Sequence, residues 1–225
     1  MNTTNHILLS FALLLGITTA TAQDIKTIKK THTQIVDDGM SDKSLAQYTY
    51  THADKWLITE NGKSGKDLKF IGGDKPVATQ RQPQEIMLIH SHDKVGDFIV
   101  EFDFFQKGRD FSLRDVCVIY GHINDSTYCY AQAASEEGRY SHNIFKLADG
   151  KTQKIGKAIV PPIVWNYQKW HHITVIRNVA AHSVQLFVDD ALVLATDTDE
   201  DIAGKIGIGT YGSEFKIDNL QVWSK

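Results

Sequence analysis

The chain has few cysteines, few prolines and, beyond its N-terminus, no long apolar run. It contains two cysteines and four prolines in 225 residues, so it is neither a disulfide-rich small domain nor a proline-rich linker. No segment after residue 22 is long and apolar enough to cross a bilayer as a helix. We therefore expect no membrane span in the mature chain, which has enough residues to bury one hydrophobic core.

The chain also has no excess of cationic residues. The 24 Lys and Arg residues are outnumbered by 27 Asp and Glu residues, which gives a formal net charge of −3. Proteins that bind nucleic acid need a clustered basic surface, so we predict no nucleic-acid partner. A local arginine or lysine still attracts an anion on a mildly acidic protein, so a polyanionic substrate remains an alternative.

A sustained helical period is missing from the mature sequence. Short apolar runs alternate with turn residues instead, and 97–105 is the clearest, with apolar side chains at every even position. Five more strands are predicted at even spacing over 169–178, 183–190, 191–197, 205–211 and 215–223. The polar residues 24–34 are predicted to form a leader strand or a loose arm. Many short strands without crossover helices predict an all-β fold, an antiparallel two-sheet β-sandwich.

The N-terminus carries an apolar run of its own. Residues 7–17 are apolar and are followed by the small-residue triplet Ala20-Thr21-Ala22. The run is shorter than a membrane span, and the triplet is typical of a signal-peptide cleavage site. We predict a signal peptide over 1–22, a single domain over 23–225, and export to the periplasm or the extracellular space.

Most of the polar side chains that point to function lie in 114–146. Folding this stretch as a hairpin about residue 123 sets Cys117 opposite Cys129. A disulfide between these cysteines and two buried free thiols both remain open, since exported chains form disulfides. One sheet face then gathers a cation, phenols, an amide and an imidazole, from Arg114, Tyr128, Tyr130, Gln132 and His142.

Several short motifs resemble the laminin-G and concanavalin-like jelly-roll domains. The opening strands of that fold are matched by Asp37-Asp38, Trp56 and Asn61-Gly62. The later strands are matched by Trp170-His171-His172-Ile173, Arg177, Val188-Asp189-Asp190, Gly204-Lys205-Ile206-Gly207 and Ile217-Asp218-Asn219. The resemblance implies a concanavalin-like jelly roll and says less about activity.

Three further features resemble small exported jelly-roll proteins of bacterial polysaccharide utilisation, including the 3-keto-disaccharide hydrolase type of domain. They are the Arg114-Asp115 pair, the tyrosine-rich strand 128–132 and His142-Asn143. Some members of this group act on uronic-acid oligosaccharides by elimination, as lyases or dehydratases. The resemblance thus implies an oligosaccharide partner, such as fragments of ulvan-type polysaccharides, and a carbon–oxygen lyase activity.

Elimination beside a uronate carboxylate needs a neutralised carboxylate, a base and an acid. We expect Arg114 to neutralise the carboxylate, and Tyr130 and His142 to share the acid and base roles without lying in the core. The predicted substrate-binding residues are Gln132, Asn143, Tyr128, His122, His90 and His92.

Two other functions stay open. A non-catalytic carbohydrate-binding module would use Tyr128, Tyr130 and Tyr140 as stacking platforms. A laminarinase-like glycoside hydrolase would need paired carboxylates, and 101–103 begins that motif with Glu-Phe-Asp, but Gln106 stands where its last acid belongs.

Metal sites are weakly indicated. His90 and His92 place two imidazoles on one strand face without the third ligand that zinc requires. Asp218 is suited either to a turn hydrogen bond, the favoured role, or to a structural calcium shared with Asp38. We predict no catalytic metal and no cofactor, and the oligomeric state stays open.

Overall fold

The computed structural model describes residues 22–72, 81–107, 114–163, 165 and 169–225. Strands dominate these ranges and form two antiparallel sheets, which confirms the predicted β-sandwich. The apolar run of the predicted signal peptide lies outside the described residues. None of the described helices is long and apolar enough to cross a membrane.

One α-helix and sixteen strands follow one another along the described residues. The helix α1 spans Ala22–Lys29, and short 3₁₀ turns occur at Ser44–Gln47 and Ala53–Lys55. The strands are β1 (Thr33–Asp38), β2 (Tyr48–Tyr50), β3 (Trp56–Thr59), β4 (Asp67–Phe70), β5 (Glu85–Ile89), β6 (Phe98–Gln106), β7 (Asp115–Asn124), β8 (Thr127–Ala134), β9 (Asn143–Ala148), β10 (Lys151–Lys154), β11 (Lys157–Ala158), β12 (Trp170–Asn178), β13 (Ser183–Val188), β14 (Ala191–Thr196), β15 (Lys205–Thr210) and β16 (Phe215–Ser224). The five strands predicted in the last third are confirmed as β12 to β16.

The two sheets differ in size. The nine-stranded sheet has the order β11-β14-β13-β12-β6-β16-β4-β3, with β1 pairing with β16 beside this path. The seven-stranded sheet has the order β10-β9-β8-β7-β15-β5-β2. Strands that are distant in sequence, such as β6 and β16, therefore lie side by side, as in a jelly roll.

The core lies between the inner faces of the sheets. The even-numbered residues of β6 are buried in it, as the alternation predicted. Phe104, for example, packs against Trp165 with ring centroids 5.0 Å apart. Burying each such side chain contributes about 1.5–3 kcal/mol, so a core rich in phenylalanine and branched residues holds the sheets together.

Residues 22–29 form a helix, so the leader strand or loose arm predicted over 24–34 is wrong up to Lys29, and a strand, β1, begins only at Thr33. Ile25 of α1 is buried on the outer face of the nine-stranded sheet, in a cluster bordered by Trp223. The Lys29 ammonium lies 3.9 Å from the Trp223 ring centroid and 2.5 Å from a Glu101 carboxylate oxygen. Eight residues form a marginal helix alone; these tertiary contacts, which a local pattern does not reveal, stabilise it.

The β7–β8 hairpin has a different register from the predicted one. Cys117 pairs with Gln132, and the turn falls at Asp125-Ser126. The predicted opposition of Cys117 and Cys129 is therefore off by three residues, and an odd shift reverses one strand's faces relative to the other. Cys129 points into the core, whereas Cys117 belongs to a cluster on the outer face. Both thiols are free and buried.

Candidate functional site

A row of aromatic rings lies on the outer face of the seven-stranded sheet. Tyr128 and Tyr130 of β8 have ring centroids 6.0 Å apart. Tyr130 stacks on Phe145 at 5.0 Å, and Tyr211, just after β15, lies 6.5 Å from Tyr130. We call Tyr128, Tyr130 and Tyr211 the tyrosine row. All three side chains are buried, so the row is enclosed.

A β-bulge turns His122 onto this face. Strict alternation from Ile119, which faces outward, would point His122 into the core. Gly121 adopts a φ of 57°, and the pairing with β15 shifts register here. The His122 ring consequently stacks on Tyr128 with centroids 5.4 Å apart. A Cβ atom on Gly121 would lie 2.8 Å from the Ile202 carbonyl oxygen, so both the backbone angle and the space require glycine.

The phenols of the row are held in their protonated form. The hydroxyl oxygens of Tyr130 and Tyr211 lie 2.9 Å apart, and Tyr130 donates to the Arg81 carbonyl oxygen at 3.3 Å. The Tyr128 hydroxyl is buried and has no hydrogen-bond partner in the described chain. Burial raises the pKa of all three tyrosines. Each phenol therefore stays protonated at neutral pH and can donate a hydrogen bond.

A buried carboxylate orients Gln132 at the edge of the row. Asp115 accepts hydrogen bonds from the Thr210 hydroxyl at 2.7 Å, the Ser213 hydroxyl at 3.0 Å and the Gln132 amide nitrogen at 2.9 Å. Burial raises the pKa of Asp115, and these donors oppose that rise. Because the Gln132 nitrogen is engaged, its Oε1 is left as a buried acceptor without a partner among the described residues. An unsatisfied buried group costs about 1–3 kcal/mol, which a ligand hydroxyl would offset.

His142 lies apart from the tyrosine row. Its Nδ1 accepts the Ala134 N–H at 3.3 Å, and its Nε2 donates to the Val160 carbonyl oxygen at 3.2 Å. Burial lowers the pKa of His142. The expectation that Tyr130 and His142 lie outside the core is wrong, since both are 0% exposed. No described contact joins the two side chains, and the catalytic role of His142 stays a prediction.

Arg114 and Asn143 are both buried. The Arg114 carbonyl oxygen accepts the Trp165 indole N–H at 3.1 Å. The Asn143 side-chain oxygen accepts the Ile144 N–H at 2.9 Å. Asn143 pairs with Gln132 across β8 and β9, beside the tyrosine row, whereas no described side-chain contact joins Arg114 to the row. Their predicted roles toward a substrate carboxylate and a sugar stay predictions.

His90 and His92 lie elsewhere on the molecule. His90 is exposed and lines a cleft of about 240 Å³ together with Asp37 and Tyr48. His92 is half-buried and bonds the Ser91 hydroxyl at 2.7 Å. The cleft places His90 near β1 and the end of β5, and no described contact connects either imidazole with the tyrosine row.

The acids of the laminarinase-like motif lie on the outer face of the nine-stranded sheet. Glu101 pairs with a lysine of α1. Asp103 accepts from Lys63 and from the Asn219 amide, each at 2.8 Å. Burial works against ionisation of Asp103, but bonds with His172, Lys63 and Asn219 outweigh it and lower its pKa to about 2. Both carboxylates are thus engaged with cations and offer no free acid–base pair.

The carboxylates considered for calcium are satisfied by protein donors. Asp218 accepts the Ser64 N–H at 2.8 Å and the Ser64 hydroxyl at 2.9 Å. Asp38 accepts the Ser44 and Tyr48 hydroxyls, each at 2.7 Å. Within the ranges that the structure describes, no group of three or more His, Cys, Asp or Glu residues is placed to hold a metal. These residues do not fit a calcium ion, and Asp218 takes the hydrogen-bonding role.

Two members of the site are missed by sequence reasoning. Tyr211 ends a predicted strand, but its place beside Tyr130 depends on pairing across 81 residues. Asp115 is noticed only as the neighbour of Arg114. Its buried position next to an apolar run was the available signal, because a carboxylate there needs several donors around it.

The fold is that of lectin-like jelly-roll sandwiches. A carbohydrate-binding module, CBM66, from Bacillus subtilis is similar with a TM-score of 0.55 and 16% identity, over 79% of this chain and 96% of that one. Peanut lectin gives 0.53 and 10% identity over 85% and 96%. A carbohydrate esterase of the Shiga toxin-encoding bacteriophage phi24B gives 0.52 and 13% identity over 86% and 99%. At these identities the likeness shows the fold alone.

No protein-family model matches the chain, and no curated protein matches its sequence. The concanavalin-like jelly roll implied by the resemblance is confirmed by the solved structures. The 3-keto-disaccharide hydrolase type of domain has no support from these comparisons, so the subgroup stays a prediction.

Proposed function

We propose that this protein acts on an oligosaccharide bound along the tyrosine row. The observation that carries the proposal is the pair of buried, unpartnered polar atoms there, the Gln132 Oε1 and the Tyr128 hydroxyl, among the residues described. Sugars combine apolar ring faces with hydroxyl groups, so aromatic walls with a few convergent polar atoms suit them. The fold shared with a carbohydrate-binding module and a lectin supports a sugar ligand.

The reaction that we propose is elimination from a uronate-containing oligosaccharide, by a lyase or a dehydratase. Burial lowers the pKa of His122, so its imidazole is neutral at pH 7 and can accept a proton. His122 takes the proton beside the carboxylate and a carbon–carbon double bond forms. The adjacent carbon–oxygen bond breaks, and Tyr130 donates its phenolic proton to the leaving oxygen. This assignment replaces His142, which is expected from the sequence to share the acid and base roles with Tyr130, by His122, the imidazole that contacts the row.

A non-catalytic carbohydrate-binding module is the competing function. Such a module needs exposed ring faces for stacking, whereas Tyr128 is 1% exposed and Tyr130 is 0% exposed. An enclosed set of protonated phenols beside a neutral imidazole suits chemistry that is shielded from water. The burial of the row therefore argues against exposed stacking platforms of the kind that a module uses.

An absorbance assay at the band of unsaturated uronates, run over a panel of uronate oligosaccharides that includes ulvan fragments, tests the proposal. We expect product from the native chain. His122→Gln and Tyr130→Phe should each lower turnover by roughly a hundredfold, the size of a lost general acid or base. His32→Gln, which lies just after α1 and away from the row, is the control and should keep full activity. Calorimetric binding without product from any glycan would favour the module.

We also propose that residues 1–22 are a signal peptide and that the protein is exported. Cleavage after Ala22 would leave α1 almost whole, because only its first residue is lost. Mass spectrometry of the protein recovered from the culture medium and the periplasm should find Gln23 at the N-terminus. Recovery of the uncleaved chain from the cytosol would contradict this.

A further inference from the structure

Two arginines flank one tyrosine ring at the end of the row. The Arg139 guanidinium carbon lies 5.3 Å from the Tyr140 ring centroid, and that of Arg81 lies 5.9 Å from it. Both distances fall within the range of cation–π attraction, about 6 Å. The arginines are exposed and the tyrosine is half-buried. The ring thus holds two cations at one place on the surface.

This cluster is connected directly to the proposed binding row. The Arg81 carbonyl oxygen accepts the Tyr130 hydroxyl at 3.3 Å and the Thr152 hydroxyl at 2.7 Å. Lys154 adds a third cation, because its ammonium donates to the Gly138 carbonyl oxygen at 3.2 Å, next to Arg139 in sequence. Arg81 therefore belongs to the cationic cluster through its guanidinium and contacts Tyr130, the phenol that we assign as the acid, through its backbone carbonyl oxygen.

The cations are available to a ligand. Glu136 and Glu137 lie in the same loop as Arg139 and are exposed, yet no ion pair joins either of them to Arg81 or Arg139 in the described part of the chain. Like charges held near one ring repel each other. An anion bound between them would relieve that repulsion and gain charge-assisted hydrogen bonds.

We propose that Arg81 and Arg139 recognise an anionic group, a carboxylate or a sulfate ester, on a sugar next to the one at Tyr130. The inference rests on the proposed sugar binding for the neighbouring unit. Guanidinium groups bind both anions through paired donors, and contact with Tyr140 limits the freedom that each arginine loses on binding. The cluster makes the site selective for acidic over neutral oligosaccharides.

Calorimetric titration with three matched probes tests this selectivity: an oligogalacturonate, its carboxyl-reduced counterpart, and the sulfated form of the reduced chain. The double variant Arg81→Gln/Arg139→Gln should weaken binding of both anionic probes by on the order of tenfold or more and leave the neutral probe unchanged. The control Lys30→Gln/Lys94→Gln removes two exposed charges elsewhere and should change nothing. Tyr140→Leu should weaken only the anionic probes, by less than the double variant.

The outcomes separate the cluster from the row. Unchanged anionic binding in the arginine double variant, or an equal loss in the lysine control, overturns the inference while the row still binds sugar. A third result is that the native chain prefers the anionic probes, loses that preference in the arginine variant and keeps it in Gln132→Leu. This result upholds anion recognition by the cluster and overturns sugar binding at the tyrosine row. Failure of all three probes to bind the native chain contradicts both.

Discussion

The hydroxyl oxygens of Tyr130 and Tyr211 lie 2.9 Å apart, although 81 residues separate them in sequence. Tyr130 donates to the Arg81 carbonyl oxygen, so it accepts the Tyr211 hydroxyl proton. In the proposed mechanism Tyr211 supports the phenol that gives up its proton, because a donated hydrogen bond stabilises the phenolate that forms. In this pair Tyr130 is the reacting residue and Tyr211 is the positioning residue.

Tyr211→Phe tests that division. We expect turnover to fall by on the order of tenfold, less than for Tyr130→Phe, and the free energy of unfolding to fall by about 0.5–1.5 kcal/mol, the contribution of one hydrogen bond. The acidic limb of the pH–rate profile, which we assign to His122, should not move. Steady-state rates and urea unfolding measure both effects. Equal losses of turnover in the two variants would contradict the distinction.

The pH dependence of activity should report His122. Burial lowers its pKa, while the charge of Asp125 acts in the opposite direction. Because the neutral imidazole is the base, kcat/KM should be flat at and above neutrality and fall in acid, with a midpoint below the ordinary value of 6.5. Stability should follow the same direction, since the folded state binds this proton less readily than the unfolded chain and loses stability as the pH falls below 6.5.

Comparison of His122→Gln with the native chain isolates this group. The acidic limb of the rate profile should disappear in the variant at a low residual rate. A limb with the same midpoint in the variant would assign the titration to another residue.

Gly121 should be required for both folding and activity. Gly121→Ala forces a side chain onto a φ of 57° and places its Cβ 2.8 Å from the Ile202 carbonyl oxygen. Strain of the left-handed backbone alone costs about 1–2 kcal/mol, and the clash adds to it. Gly150→Ala is a matched control, because its φ is 71° and nothing lies within 4 Å of the added Cβ.

We therefore expect Gly121→Ala to lose more stability in urea unfolding than Gly150→Ala, and to lose turnover because the His122 ring moves. Full activity in the control shows that strain by itself is tolerated. Equal stability of the two variants would mean that the Ile202 contact relaxes without cost.

The strands were predictable because their signals are local. Alternation along β6 and turn residues between β12 and β16 depend on neighbours in sequence, and both predictions are confirmed. The same alternation correctly places Tyr128 and Tyr130 on one face of β8. The alternation of side chains along one strand stays correctly predicted even where the pairing with its neighbours is predicted wrongly.

The partners across the sheet were not predictable in the same way. The hairpin register depends on the turn at Asp125-Ser126 and on the left-handed Gly121, and one extra residue in a strand reverses every later face. His122 consequently joins the site through the backbone angle at Gly121, whose place inside a strand pattern was the available local signal of a bulge. Tyr211 joins it through a strand order that is fixed only when both sheets form.

The Asp103–His172 pair on the nine-stranded sheet should affect the pH dependence of stability without affecting turnover. Asp103 accepts from Lys63 at 2.8 Å and lies 3.4 Å from the His172 Nδ1. Its pKa is lowered from 3.8 to about 2 because hydrogen bonds with His172, Lys63 and Asn219 outweigh the opposing effect of burial. The hydrogen bond to Asp103 also raises the pKa of His172 above 6.5, against the effect of burial.

The two shifts act in different pH ranges. A lowered carboxyl pKa gives stability that is present above pH 3.8 and is lost as the pH falls toward about 2, and the shift corresponds to about 2 kcal/mol. The raised pKa of His172 gives stability that is present below pH 6.5 and is lost as the pH rises through the folded value. Asp103→Asn should remove both contributions and flatten the profile.

Urea unfolding between pH 2 and pH 8 measures this directly, with turnover at pH 7 followed in parallel. We expect Asp103→Asn to be less stable than the native chain near pH 5, to approach it near pH 2, and to keep full turnover, because the pair lies on the sheet opposite the tyrosine row. His172→Gln should lose the alkaline change while retaining most of the acidic one, which Lys63 and Asn219 still support. A loss of turnover in Asp103→Asn at unchanged stability would instead indicate a catalytic role for this carboxylate. It would then favour the alternative function, a glycoside hydrolase that uses the acids at 101–103.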